Sequence, residues 1–354
     1  MDLDFTSDNA SGAHPRILDA LVAANRGSAA AYGADEWSRR AEQALARLFE
    51  TDVSAFLVAT GTAANALALS SALAPWGAAL CHQFAHIAAD ECGAPEFFAA
   101  GAKLVGLPGD GGKLTPDAVA DALALMPRGV VKQVQPMALS LSQATECGTV
   151  YTRDELADLS RAAHAAGLSV HMDGARFANA LAALGCSPAE MSWKAGVDVL
   201  SFGATKNGAL ACEAVIFFDK GIAQDFAYRR KRGGHTLSKG RLLGAQMLAY
   251  LDGGLWLDLA RAANARAAEL ETGFAEIAGA RLPWPRQVNE VFAVVPRRVH
   301  EAWSAAGSRY HLWTPRALNP AERPGPDEVF VRLIPSFATP PEAVARLLAI
   351  GRDA

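Results

Sequence analysis

An α/β fold, with a large, mostly parallel seven-stranded sheet and a smaller C-terminal α+β unit, is predicted by three features of the chain. Short apolar runs alternate with helical patterns from about residue 15 to 240, the pattern of a sheet covered by helices on both faces. Polar and charged residues cluster just after those runs, at the edge where α/β sheets place their ligands. After Ala280 a shorter strand–helix–strand–helix pattern follows.

The strands are expected at Val53–Val58, Ala78–Cys81, Lys103–Leu107, either Val130–Gln135 or Met137–Leu141, Ser169–Asp173, Val197–Phe202 and Ala214–Phe218. Helix starts are marked by their caps. His14-Pro15 and Thr115-Pro116-Asp117 each put a capping residue before a proline, and Thr152-Arg153-Asp154-Glu155 spells a capping box. A helix over Ala64–Leu73 follows the first strand. Long helical stretches, broken at Gly253-Gly254, fill 238–278. Beyond them the spacing predicts a strand at Glu290–Val295, a helix at Val299–Ala306, a strand at Val329–Ile334 and a helix at Pro341–Ile350, with 313–328 as a loop. Three parts result: an N-terminal segment (1–14) reaching the active site, a large domain (15–250), and a connecting helix with the small domain (251–354).

The 354 residues are 51% hydrophobic and 20% charged, enough to bury a large core. A net charge of -4 gives no footprint for nucleic acid or an anionic membrane. The five cysteines, Cys81, Cys92, Cys147, Cys186 and Cys212, are scattered without a CxxC spacing. That fits reduced thiols rather than a disulfide framework or a zinc site. The acidic start Met1-Asp2-Leu3-Asp4-Phe5 carries no signal-peptide pattern, and no run of about 18 apolar residues is uninterrupted. A cytoplasmic enzyme is expected.

Two strand ends carry the chemistry. Asp173 closes the run Leu168–Met172 and precedes Gly174-Ala175-Arg176; Lys206 follows Val197–Phe202 within Gly203-Ala204-Thr205-Lys206-Asn207-Gly208. A lysine for a Schiff base and a carboxylate to keep a ring nitrogen protonated are what pyridoxal 5'-phosphate (PLP) requires. Gly61-Thr62 opens the helix after the first strand, where free N–H groups and the helix dipole favour a phosphate. Each residue has a plainer reading. Asp173 would serve as a helix cap or, with His171, as part of a metal site lacking a third ligand. Lys206 would serve as a loop lysine, and His86 as a structural histidine easily confused with His82. Arg332, inside Val331–Phe337, would be either a carboxylate fork or an edge-strand arginine.

Together, in this order, these motifs resemble the aspartate-aminotransferase-like, fold type I PLP enzymes. Within them the chain is similar to the L-threonine aldolases, most of all the low-specificity branch and the phenylserine aldolases. The segments that carry the likeness are Phe5-Thr6-Ser7-Asp8-Asn9, Ala31-Tyr32-Gly33-Ala34-Asp35, Thr60–Asn65, Ala85-His86-Ile87, His171–Arg176, Gly203–Gly208 and Arg332–Phe337. The resemblance implies retro-aldol cleavage of L-β-hydroxy-α-amino acids such as L-threonine, L-allo-threonine and phenylserine, giving glycine and an aldehyde. It implies that Lys206 carries PLP, Asp173 pairs with its ring nitrogen, His86 stacks on the ring, and Gly61 and Thr62 hold the phosphate. Arg176 belongs to both the cofactor and the substrate side; Ser7, Arg176 and Arg332 would grip the substrate carboxylate. Tyr32 and Arg229-Arg230-Lys231 would reach the site across an interface in a homodimer or homotetramer with shared active sites. One departure stands out. Where many relatives have Glu-Asn-Thr-His, this chain has Ser142-Gln143-Ala144-Thr145-Glu146, so Thr145 stands at the position of their second active-site histidine. His86, a water or Glu146 remains as base for the β-hydroxyl. The rival readings are a β-eliminating lyase or aminotransferase on the same fold, a PLP-binding protein without turnover, and a nucleotide-binding α/β protein.

Overall fold

A computed structural model describes residues 2–354; Met1, the first residue of the expected N-terminal segment, lies outside the described residues. Seven strands form the large sheet: β1 (Ser54–Val58), β2 (Gly77–His82), β3 (Lys103–Leu107), β4 (Gln135–Ser142), β5 (Ser169–Gly174), β6 (Val199–Gly203) and β7 (Glu213–Phe217). They lie in the order β1-β7-β6-β5-β4-β2-β3. Only β7 runs antiparallel to its neighbours, pairing with β1 and β6 in that sense, while β3, β2, β4, β5 and β6 run parallel. Of the alternatives for the fourth strand, Met137–Leu141 lies within β4. Val130–Gln135 is mostly a turn, with Val131 fully exposed.

The sheet is sandwiched by helices, so β2, β6 and β7 are buried along their whole length. The helix Gly61–Ala72 is buried from Ala63 to Ser70. Its alanines have a packing reason: only small side chains let a helix be covered on every side. The helix begins three residues before the expected Ala64, and Thr60 caps it by accepting from Ala63 N at 3.2 Å. Thr115 caps its helix as expected, and Thr152 with Glu155 forms the capping box.

The connecting helix Leu255–Phe274 begins after Gly253 and Gly254, both at positive φ. It leads to a three-stranded antiparallel sheet of β8 (Val291–Pro296), β9 (His311–Leu312) and β10 (Glu328–Leu333), in the order β8-β10-β9. Two-residue β9 left no periodic signal. The N-terminal segment belongs to this unit: Leu3 and Phe5 enter its core, and Phe5 exchanges backbone hydrogen bonds with Arg309 and Ile334. No helix among the described residues is long and apolar enough to cross a membrane.

Gly203, the last residue of β6, shows how tightly the site is framed. A Cβ there would sit 2.6 Å from Ala175 O and 2.7 Å from Ala175 Cα, backbone atoms of the loop that follows Asp173. Gly203→Ala is therefore expected to lower stability by about 1–3 kcal/mol, as overpacking does. Thermal denaturation of the apoprotein checks it.

Candidate active site

The carboxyl ends of β1, β4, β5 and β6 converge on a cavity of about 380 Å³. Gly61, Thr62, His86, Asp173, Arg176 and Lys206 all line it, so every cofactor residue read from the sequence comes to one place. On the β1 side, the N–H groups of Gly61 and Thr62 belong to the first helical turn, where no intrahelical acceptor exists. The space beside Gly61 is open: a Cβ would meet nothing within 4 Å.

Asp173 lies on the floor. Its Oδ2 accepts from Asn65 Nδ2 at 2.8 Å and its Oδ1 from Ala175 N at 3.0 Å. The helix beyond it starts only at Phe177 and lacks a side-chain cap, so helix capping does not account for this carboxylate. Neighbouring His171 is clamped between Ser140 Oγ (2.8 Å) on β4 and Ser201 Oγ (3.0 Å) on β6. Burial pushes its imidazole down to about 4, so it is a neutral structural bridge. No cluster of three metal-ligating side chains occurs among the described residues.

His82 and His86 separate cleanly. His82 is buried, with Nε2 at 3.0 Å from Gly109 O and Nδ1 accepting from Phe84 N. His86 faces the cavity, and its Nδ1 lies 2.8 Å from Glu91 Oε1. That hydrogen bond raises the imidazole above its usual range against the opposing effect of burial. Asn65 Nδ2 reaches Glu91 Oε1 at 2.9 Å as well as Asp173, so one amide ties the His86 pair to the floor. Asn65 and Glu91 carry no role in the sequence reading. The signal that could have found Asn65 is a lone amide in an otherwise small, apolar helix.

Lys206 occupies the turn Thr205–Asn207 and is held there by its neighbour. Asn207 Nδ2 donates to Tyr250 OH (2.8 Å) and to Trp256 O (2.7 Å). On β7, Glu213 Oε2 accepts from Ala204 N at 2.7 Å, tying the start of that strand to the loop that carries Lys206.

A second cavity, of about 510 Å³, shares Asn9, His86, Glu146, Arg176 and Lys206 with the first. Ser7, Arg332, Trp313, Phe84, His311 and Glu290 also line it. The two arginines are not equivalent. Arg176 grips Asp8 with Nε (2.8 Å) and Nη2 (3.1 Å) and has Nη1 3.3 Å from Glu290, so its fork is occupied. Arg332 stacks 4.5 Å over Trp313, reaches Glu290 at 3.4 Å, and leaves its buried Nε unpartnered. It sits on the central strand of the small sheet, not on an edge. Ser7 accepts from Asn9 N at 3.1 Å. Tyr32 and the run Arg229-Arg230-Lys231 line neither cavity. Tyr32 is exposed, with Lys231 Nζ 4.9 Å from its ring centroid.

Thr145 is sealed away: its Oγ1 bonds Gly111 O (3.0 Å) and Thr149 Oγ1 (2.8 Å). The next residue turns into the site. Burial lifts both Glu146 and Glu213 from 4.5 to about 7, outweighing the hydrogen bonds each accepts. Both acids ionise less readily folded than unfolded. Their contribution to stability is complete below about pH 4.5 and is lost as pH rises through about 7. The melting temperature of the apoprotein is expected to fall over that interval, and Glu146→Gln with Glu213→Gln to flatten the fall.

The residues fit PLP: a lysine and a carboxylate bracket a ring-sized cavity, with unpaired amides where its phosphate would lie. Comparison with known proteins agrees. A sequence model of the β-eliminating lyase family matches residues 4–297. The low specificity L-threonine aldolase of Pseudomonas aeruginosa is 46% identical over 309 residues, 87% of this chain and 89% of that protein. That of another Pseudomonas strain is 44% identical over the same shares. The threonine aldolase structure from Leishmania major has a TM-score of 0.89 at 30% identity, over 99% of this chain and 98% of that one. Aspartate aminotransferase from Thermus thermophilus, with a TM-score of 0.70 at 17% identity over 99% and 91% of the two chains, shares the fold. With Lys206, Asp173, Gly61 and Thr62 in one cavity, the chain belongs to the β-eliminating lyase family, among the low specificity L-threonine aldolases.

Proposed function

We propose that this protein is a PLP-dependent carbon–carbon lyase that reversibly cleaves L-β-hydroxy-α-amino acids to glycine and an aldehyde. The observation that carries this reading is the junction of the two cavities. A cofactor seated by Lys206 and Asp173 would present an attached amino acid to Arg332 on one side, and to unpartnered Glu146 Oε2 on another. When bound, PLP supplies an electron sink for the pair left on Cα as the Cα–Cβ bond breaks.

The chain's own residues do the rest. Lys206 would hold the cofactor through its amine. Asp173, fixed by Asn65 and Ala175, keeps a proton on the ring nitrogen. His86, held from behind by Glu91, would stack on the ring. Gly61 and Thr62 donate to the phosphate. Arg332 grips the substrate carboxylate with Ser7 beside it, and Arg176, locked by Asp8, shapes the floor of that pocket. Because the bond held perpendicular to the ring plane is the one that breaks, this grip selects Cα–Cβ cleavage. Aldehyde released from L-threonine or phenylserine by the purified holoenzyme tests the reaction. A keto acid product would instead indicate transamination.

Charge counting supports a shared active site. Among the described residues the first cavity is lined by one lysine, Lys206, which would hold the cofactor, and one arginine, Arg176, whose fork is held by Asp8 and Glu290. A phosphate dianion there needs cations from elsewhere, and Lys231 beside exposed Tyr32 offers one from a second copy. We place the protein as a homodimer or homotetramer in a reducing, cytoplasmic setting, which the free state of all five cysteines supports. Lys206→Ala and Lys231→Ala proteins, each with little activity, are expected to regain it when mixed and reassembled. Full activity in a sedimenting monomer would refute sharing.

A further inference from the structure

We propose that Glu146 is the catalytic acid–base group for the substrate's β-hydroxyl; this rests on the aldolase reaction proposed above. The position at which relatives carry a histidine is filled by Thr145, whose hydroxyl is spent on Gly111 and Thr149 and which lines neither cavity. Glu146 is half-buried at the boundary between the two. Its Oε1 accepts from His86 N at 2.8 Å and from Ser142 Oγ at 2.6 Å, which fixes the carboxylate plane. Its Oε2 is buried with no partner in the chain.

Such an oxygen ordinarily costs about 1–3 kcal/mol. A hydroxyl donated by a substrate offsets that cost. Three carboxylates of the site keep an unpartnered buried oxygen: Glu91, Glu146 and Glu290. Glu91 borders only the first cavity and Glu290 only the second; Glu146 borders both. Cβ of an amino acid joined to the cofactor has to lie at that boundary, with Cα over the ring and the side chain in the larger space. His86 is the poorer acceptor. Its Nδ1 is committed to Glu91, and that contact favours the protonated ring.

The charged groups around Glu146 come from several elements. Asp173 on β5 opposes its ionisation, while Arg176, Lys206 and His86 share its cavities. With burial dominant, the carboxyl sits at about 7, where a group that must both take and give a proton works best. In cleavage Glu146 Oε2 takes the β-hydroxyl proton. The O–H pair becomes the second C–O bond of the aldehyde, and the Cα–Cβ pair stays on Cα, where PLP delocalises it. After the aldehyde leaves, Cα takes up a proton and Glu146 releases one, so turnover is proton-neutral. In synthesis Glu146 protonates the nascent alkoxide.

Glu146→Gln in the holoenzyme tests this. Glutamine keeps an acceptor for His86 N and Ser142 Oγ but takes no proton. Two rates are measured: aldehyde release from L-threonine, and exchange of the α-hydrogen of glycine with deuterated water. Glycine has no β-hydroxyl, so its exchange needs Lys206 and Asp173 but not this base. Cleavage is expected to fall about 10²- to 10⁴-fold, the usual contribution of a general base, while exchange changes little. The rise of kcat/KM through pH 7 expected of the wild type should vanish. Equal losses in both rates would reassign Glu146 to positioning His86, and unchanged cleavage would remove it from the reaction; either overturns the proposal. If the glutamine variant does not fold, Glu146→Asp replaces it, with slowed cleavage and retained exchange expected. A wild-type enzyme that releases no aldehyde would sink the aldolase reading instead.

Discussion

Lys206→Ala is expected to leave a folded protein without covalently held cofactor and with turnover reduced on the order of 10⁴-fold or more, as loss of a covalent catalytic group does. The fold should survive because Asn207, through Tyr250 and Trp256, anchors the turn. The replaced amine also lies against buried acids, since Asp8 and Glu213 both feel its charge. The decisive readout is chemical. Borohydride reduction of the wild type, followed by peptide mapping, should place the cofactor's mass on the segment containing Lys206, and the variant should yield no such adduct. An adduct on another lysine would overturn the assignment.

Asp173→Asn should produce the second largest effect. Both oxygens of the carboxylate already accept hydrogen bonds, from Asn65 and from Ala175. An asparagine offers one oxygen, so its amide must face one of those two donors. That mismatch costs about 1–3 kcal/mol of stability. The larger loss is electronic: a ring nitrogen without its anion gives up a buried charge pair, about 3–5 kcal/mol. If that loss falls on the transition state, it is roughly 10²- to 10⁴-fold in kcat. Steady-state kinetics at saturating PLP separate this from weakened cofactor binding. A kcat within a fewfold of wild type would mean that Asp173 only shapes the cavity.

The charged cluster beneath the substrate pocket bears on both variants. Asp8, Arg176, Glu290 and Arg332 alternate in sign and are tied through Asn289, which donates to Asp8 at 3.1 Å and to Pro335 O at 3.1 Å. Buried ions are tolerated when each is paired and hydrogen-bonded. The cluster joins the N-terminal segment, the large domain and the small domain at the point where the carboxylate of a substrate would arrive. The burial cost of Arg176 is outweighed by Asp8 and Glu290, which hold its charge firmly in place.

The sequence by itself determined what local pattern can encode. Apolar runs placed six strands of the large sheet to within a few residues and left the fourth between two alternatives, of which Met137–Leu141 is the strand. Thr115 and Thr152 marked helix starts, and the ends of β5 and β6 delivered Asp173 and Lys206 to one edge, because parallel strands share a direction. Tertiary structure decided which polar groups meet. Asn65 and Asp173 are 108 residues apart, and Asp8 and Arg176 are 168 apart; pairing at such range leaves no periodicity to read. Whether Thr145 or Glu146 faces the substrate depends on how one loop turns after β4, and the turn is set by contacts with Gly111, Thr149, Ser142 and His86. Arg176 and Arg332 look alike in sequence, yet only one has its fork occupied, since the occupying carboxylate, Asp8, comes from the N-terminal segment. Short-range order follows from side-chain size and polarity along the chain, whereas the partner and protonation of a buried charge follow from packing that joins distant segments.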